Sequence, residues 1–157
     1  MINKTNQFNL TTRRYTSAEV EAISQDPAFV TLYGRLTDKF GDNGLVSVLI
    51  GRVTHETVEL DLWLMSCRVL KREMELAMFD ALVEECQARR IRKIVGVYIP
   101  SKKNGMVAEH YASLGFTRVD GASGNRNMWQ YEVPQDYSAQ ACYIRRTQKT
   151  LPAKVSA

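Results

Sequence analysis

The stretch Leu64-Met65-Ser66-Cys67-Arg68-Val69-Leu70-Lys71-Arg72-Glu73 gathers a thiol, cations and a carboxylate where a strand-like run passes into a helix-like one. A helix start offers free backbone N–H groups and a positive dipole end, which suits a phosphate. Arg68, Lys71 and Arg72 add positive charge there. Cys67, beside Arg68 and ahead of the helix, has the setting that favours a nucleophilic thiolate. Its other reading is a packed, inert thiol, which is the expectation for Cys86 and Cys142. Upstream, Glu59 and Asp61 fall on the polar face of an alternating run, as a candidate base or as solvated charges. Downstream, Pro100-Ser101-Lys102-Lys103-Asn104 leads to Ala108-Glu109-His110-Tyr111. The Tyr111 phenol could protonate a leaving group or pack in the core. His110 points about 100° around a helix from it.

The surrounding elements must hold these groups. Ser17 reads as the cap of a short helix that ends at Asp26-Pro27. The ambiguous polar segment 6–15 precedes it. Runs 29–39, 45–52 and 57–65 read as an antiparallel meander, with a turn at Gly41-Asp42-Asn43-Gly44. In the third run Val58, Leu60, Leu62 and Leu64 share one face, and Glu59, Asp61, Trp63 and Met65 the other. The period then changes. Met74, Met78, Leu82 and Cys86 mark a helix over 71–90, followed by a strand at 93–99 and a helix at 104–114. Strands at 116–119 and 128–133 flank the loop 120–127. The expected fold is an α/β domain with a mixed, mostly antiparallel sheet and helices on both faces. It spans residues 1–134, with a basic tail at 135–157.

The 157 residues fit one domain. With 45% apolar and 24% charged residues the chain is not a disordered one. The net charge of +4 belongs to the tail, since residues 1–144 carry 17 basic and 17 acidic side chains. Arg145, Arg146, Lys149 and Lys154 follow with no acid, so a nucleic-acid-binding body is not required. Three widely spaced cysteines and two histidines argue against a disulfide framework or a zinc site. A polar N-terminus and no long apolar run lead us to expect a cytoplasmic, non-membrane protein.

The segment Asn104-x3-Ala108-x2-Tyr111-x3-Gly115-Phe116 resembles the N-x3-A-x2-Y-x3-GF segment of the GNAT acyltransferase superfamily, and the element order matches. In that superfamily an R/Q-x-x-G-x-G/A turn wraps the pyrophosphate of coenzyme A. Arg68 takes its first place, and Lys71 and Glu73 replace the small residues. Glu73 would repel a pyrophosphate, and both side chains hinder close backbone approach. The segments Asn6-Gln7-Phe8-Asn9-Leu10-Thr11-Thr12-Arg13-Arg14-Tyr15, Asp38-Lys39-Phe40-Gly41-Asp42-Asn43-Gly44-Leu45-Val46 and Ser66-Cys67-Arg68-Val69-Leu70 resemble the C-terminal GNAT-like domain of FkbH-like proteins. That family usually has Gly where this chain has Lys71. Its members join a HAD-type phosphatase domain to an enzyme that loads glyceryl units onto an acyl carrier protein. No DxDxT phosphatase motif is present here.

The resemblance implies an acyltransferase of secondary-metabolite (polyketide) biosynthesis. Cys67 would be its thioester acceptor, Tyr111 its acid and Asp61 a candidate base. Met65, Arg68, Lys71, Arg72, Glu73 and Asn104 would surround a carrier-linked phosphopantetheine thioester or coenzyme A (acetyl-CoA), without a metal. The implied partners are an acyl carrier protein and a HAD-type phosphatase domain or chain. A CoA-dependent N-acetyltransferase and a non-catalytic docking module are the alternatives.

Overall fold

The computed structural model describes residues 8–121 and 123–147, so Asn6, Gln7, Lys149 and Lys154 lie outside the described residues. The elements are α1 (Ser17–Ser24), β1 (Phe29–Asp38), β2 (Gly41–Thr54), β3 (Thr57–Met65), α2 (Met74–Ala88), β4 (Lys93–Tyr98), α3 (His110–Ser113), β5 (Thr117–Val119) and β6 (Asn127–Glu132). The strands form one sheet in the order β1-β2-β3-β4-β6-β5. Only β3 and β4 run parallel, and the other neighbours are antiparallel. One face carries the main core, where Phe79, Leu82 and Val83 of α2 meet Leu60, Trp63 and Tyr111. On the other, Ile23 of α1 and Tyr15 cover Val48, Ile50, Leu62 and Leu64. Helices on both faces and a mostly antiparallel sheet are therefore present.

Local chemistry moves several boundaries. Thr16, not Ser17, caps α1: its hydroxyl accepts the Glu19 N–H at 3.2 Å and the Glu19 carboxylate accepts the Thr16 N–H at 2.7 Å. This reciprocal Thr-x-x-Glu box leaves Ser17 as the first helical residue. The β1–β2 reversal falls at Lys39-Phe40, and Gly41 to Gly44 already belong to β2. Asp38 accepts the Phe40 N–H at 2.8 Å, and this side-chain turn displaces the glycine-rich one.

The helix expected from 71 starts at Met74, because Lys71 and Glu73 hold left-handed backbone with φ of 60° and 61°. The expected helix at 104–114 splits into a 3₁₀ turn, Gly105–Val107, and α3. Of the last two strands, β5 starts after Phe116, and β6 gains Asn127 and ends before Val133.

The alternation of β3 breaks in the middle. Ile50 pairs with Leu62 but Gly51 pairs with Leu60, so Asp61 is the extra residue of a bulge. A bulge reverses side-chain phase. Val58 and Leu60 therefore share the main core with Trp63 and Met65, while Leu62 and Leu64 face α1. The expected single apolar face of Val58, Leu60, Leu62 and Leu64 does not exist.

Residues 135–147 are not detached from the domain. The buried Asp80 carboxylate of α2 accepts the Tyr137 hydroxyl at 2.6 Å and the N–H groups of Gln140 and Ala141 at 2.9 and 3.0 Å. Arg146 pairs with Glu84. Position 134 thus marks the end of the sheet but not of the folded contacts.

Candidate functional site

The site begins where the bulge ends the β3–β4 ladder. The two strands pair from Thr57 with Lys93 to Leu60 with Gly96, and beyond that both continue without pairing each other. Backbone donors and acceptors on the facing edges then need other partners. An extended segment of the chain itself, residues 8–11, provides them. The Met65 N–H donates to Phe8 O at 3.3 Å and the Ile99 N–H to Leu10 O at 2.8 Å. Asn9 forms an antiparallel bridge with Leu64, and the Thr11 hydroxyl donates to Asp61 O at 2.8 Å. All four residues of this segment are buried.

Asn104 anchors the segment from the β4 side. It is fully buried, and its Nδ2 donates to Asn9 O and to Ile99 O, each at 2.9 Å. Its Oδ1 accepts the Ser101 N–H at 2.7 Å. The expected cofactor-binding asparagine is thus the hub that joins residue 9 to the loop after β4.

Phe8 enters an aromatic pocket. Its ring lies edge-on to Trp63 at 6.2 Å and to His110 at 4.8 Å, and His110 lies 4.5 Å from Trp63. Burial pushes the His110 imidazole down to about 3, so it is neutral at physiological pH. Tyr111 packs over Gly96, where a Cβ would stand 2.6 Å from its ring. Only glycine lets that ring approach the sheet. The Tyr111 hydroxyl donates to Val97 O at 3.5 Å, and burial raises its pKa, so the phenol holds its proton. Among the described residues, four buried side-chain atoms lack a partner: Asn9 Oδ1, Trp63 Nε1, His110 Nε2 and Trp129 Nε1. Three of the four belong to the 8–11 segment or to the aromatic pocket that receives it.

Asp61, on the bulge, pairs with Arg13 and accepts the Tyr15 hydroxyl. Burial and then this carboxylate push the Tyr15 phenol up to about 12. Glu59, farther along β3, pairs with Arg126. Cys67 is exposed in the 3₁₀ turn Cys67–Val69, just past β3. The helix dipole expected beside it is absent, because α2 begins seven residues later.

The turn at 65–73 is filled largely from within. Its Met65 N–H serves Phe8 and its Ser66 N–H donates to Val46 O at 2.8 Å. The Lys71 N–H donates to the Glu75 carboxylate at 2.9 Å, and Arg72 pairs with Asp38 at 2.8 Å. Arg68 turns back on the Ser66 hydroxyl at 3.4 Å. Glu73 turns outward and accepts the N–H groups of Cys142 and Tyr143, both at 2.8 Å. Cation density lies elsewhere: Asn9, Thr12, Arg14, Ser101, Lys102 and Lys103 line a shallow cavity of about 290 Å³.

The sequence motifs lead to Tyr111, Asn104 and the 65–73 turn, and the fold sets the first two at one cleft. They give no role to Phe8, although it lies within one of them, nor to Trp63 or Asp80. The alternation of Phe8 and Leu10 in a polar segment is the one trace of the first.

No family model matches the chain, and no curated protein matches it. Solved structures do. The GNAT domain of S. lividans PAT is 12% identical with a TM-score of 0.61, covering 76% of this chain and 70% of that one. The ribosomal-protein-S18-alanine N-acetyltransferase from Escherichia coli is 15% identical with a TM-score of 0.54, covering 86% of each chain. An acetyltransferase from Thermus thermophilus is 13% identical with a TM-score of 0.58, covering 76% of this chain and 77% of that one. At such identities the likeness is one of architecture: this chain has the GNAT fold. Among the described residues no helix is long and apolar enough to cross a membrane, and no cluster of His, Cys, Asp or Glu is arranged to hold a metal.

Proposed function

We propose that this chain is an acyl-transfer domain that handles an acyl group as a thioester on a phosphopantetheine arm carried by an acyl carrier protein. The observation that supports this most is that β3 and β4 stop pairing each other beyond Leu60 and Gly96. Their N–H groups at Met65 and Ile99 accommodate an extended, amide-bearing chain, as residues 8–11 demonstrate in place. A phosphopantetheine arm is such a chain, and its thioester end would lie between the two strand ends.

The phosphate turn supports a carrier-bound arm over free coenzyme A. Coenzyme A brings a pyrophosphate and a further phosphate, whereas the turn keeps non-glycine residues at Lys71 and Glu73 and places the Glu75 carboxylate on the Lys71 N–H. A carrier-bound arm brings a single phosphodiester. Arg14, Lys102 and Lys103, beside the cleft, suit that charge and an acidic carrier surface. A HAD-type phosphatase domain or chain would act upstream, and a glyceryl unit fits the sequence resemblance as cargo.

In this reading the Cys67 sulfur attacks the thioester carbonyl and its proton passes to solvent. The carbon–sulfur bond to the arm breaks, and the released pantetheine sulfur takes a proton from solvent while the Tyr111 phenol, which keeps its own proton, donates a hydrogen bond to it. Asn104 and Met65 align the arm, and Arg14, Lys102 and Lys103 border its phosphate. Two observations favour a second reading, the non-catalytic docking module: Asp61 is already ion-paired and residues 8–11 fill the cleft.

Intact-mass analysis after incubation with acyl-carrier protein, and separately with acetyl-CoA, tests these readings. The expected result is an acyl adduct from the carrier that Cys67→Ser abolishes. Free acetyl-CoA should bind no better than high micromolar, on the order of −5 kcal/mol. Transfer from acetyl-CoA alone would favour the CoA-dependent acetyltransferase, and no transfer from either donor would favour the docking module.

A further inference from the structure

We propose that residues 8–11 are a displaceable strap: they hold the β3–β4 slot shut, and a phosphopantetheine thioester must exchange with them to bind. The ligand's identity rests on the reading above, whereas the strap rests on geometry alone.

The strap is short. It meets β3 through a single bridge residue, Asn9, gains two strand-type N–H donors, from Met65 and Ile99, and is otherwise held by two side-chain bonds, Asn104 Nδ2 to Asn9 O and the Thr11 hydroxyl to Asp61 O. A permanent strand of a sheet pairs along several residues, as β2 does with β3. The strap also leaves the slot poorly satisfied. Asn9 Oδ1, Trp63 Nε1 and His110 Nε2 are buried without a partner, and each such atom carries a desolvation penalty. An arm with two amides and a hydroxyl could offer carbonyls to Met65 and Ile99 and still have groups left for Trp63 and His110. The exit of the strap is strained: Thr12, a β-branched residue, holds φ at +59°. Release of residues 8–11 would relieve that backbone as well. The apolar plug is the Phe8 ring, which packs edge-on against the contacting pair Trp63 and His110.

A ligand that binds only the open form sees its affinity reduced by the open fraction. Weakening the strap must therefore tighten binding. The probe is 4′-phosphopantetheine, titrated calorimetrically into the full chain. Thr11→Val removes the hydroxyl bond to Asp61 O without removing volume and should tighten binding about 3-fold. Phe8→Ala should tighten it about 10-fold or more, and Thr11→Val stands in if Phe8→Ala does not fold. In the wild-type chain, saturating probe should speed tryptic cleavage after Arg13 and Arg14, because release of the adjoining strap frees the backbone on their N-terminal side to enter a protease. Equal or weaker binding by both variants, or binding with no change in cleavage, would overturn the strap. Faster cleavage in the variants with no probe binding at all would instead overturn the acyl-thioester reading beneath it.

Discussion

Both ends of the described chain fold back onto the sheet-and-helix frame, and they do so in opposite chemical styles. At the C-terminal end, the buried Asp80 carboxylate collects three donors from residues 137–141, and Glu73 collects two more from Cys142 and Tyr143. These five donors all meet carboxylates, which make the stronger kind of hydrogen bond. At the N-terminal end, residues 8–11 are themselves buried, whereas most of residues 137–143 are exposed, yet the buried segment leaves three polar atoms at its seat without a partner. Burial alone does not make a segment permanent. A satisfied polar seat fixes the tail to α2, whereas an unsatisfied one leaves the strap at the low-stability end of the structure.

The largest effect should come from the tail. Asp80→Ala strips the carboxylate acceptor from three part-buried donors, so we expect a loss of about 3 kcal/mol. Urea unfolding checks this, and a loss under about 0.5 kcal/mol would mean the tail is merely laid on the surface.

The strap end should respond to acid through His110. His110 is held neutral, with a pKa of about 3 against an unfolded value near 6.5. Its neighbours Phe8, Trp63 and Tyr111 bring no charge. Because the open or unfolded form binds the proton more tightly, this stability is complete above about pH 6.5 and falls as the pH drops toward 3. Between pH 7 and pH 5 the loss should be about 2 kcal/mol. Comparing wild type with His110→Gln across that range isolates it, and identical pH slopes would contradict the assignment.

The smallest effect lies at the turn between the two regions. Lys71 occupies left-handed backbone with its side chain exposed. Lys71→Gly removes that strain at the expense of chain entropy, so we expect a net gain of under about 1 kcal/mol. Thermal melting should show a small rise, and a clear fall would mean the lysine side chain makes a contact of its own.

Much of the fold is legible in the sequence because its periods are strong. The change from period two to period 3.6 near residue 70 marks the strand-to-helix passage, and Gly115 and Pro134 punctuate the later elements. The rest is hidden for identifiable reasons. The bulge at Asp61 reverses the phase of β3, and alternation read along one strand contains no sign of the partner's register. Lys71 and Glu73 adopt glycine-like backbone without being glycine, so the helix reads three residues too long at its start. The strap is built from Asn and Thr among its apolar residues, types that signal a loop, and its pairing with Asn104 spans 95 positions. Within the site, the motif leads to Asn104 and Tyr111. That Asn104 holds the chain's own backbone is visible only in three dimensions.

The difference between the two ends is tested most directly by native-state amide hydrogen exchange at low denaturant. The N–H groups of Met65 and Ile99 report the strap, and those of Gln140 and Ala141 report the tail. Met65 and Ile99 are expected to exchange together through a local opening that barely depends on denaturant. Gln140 and Ala141 should instead follow the opening of α2. If Met65 and Ile99 exchange only with global unfolding while Gln140 and Ala141 open first, the strap is a permanent strand and the central claim is wrong.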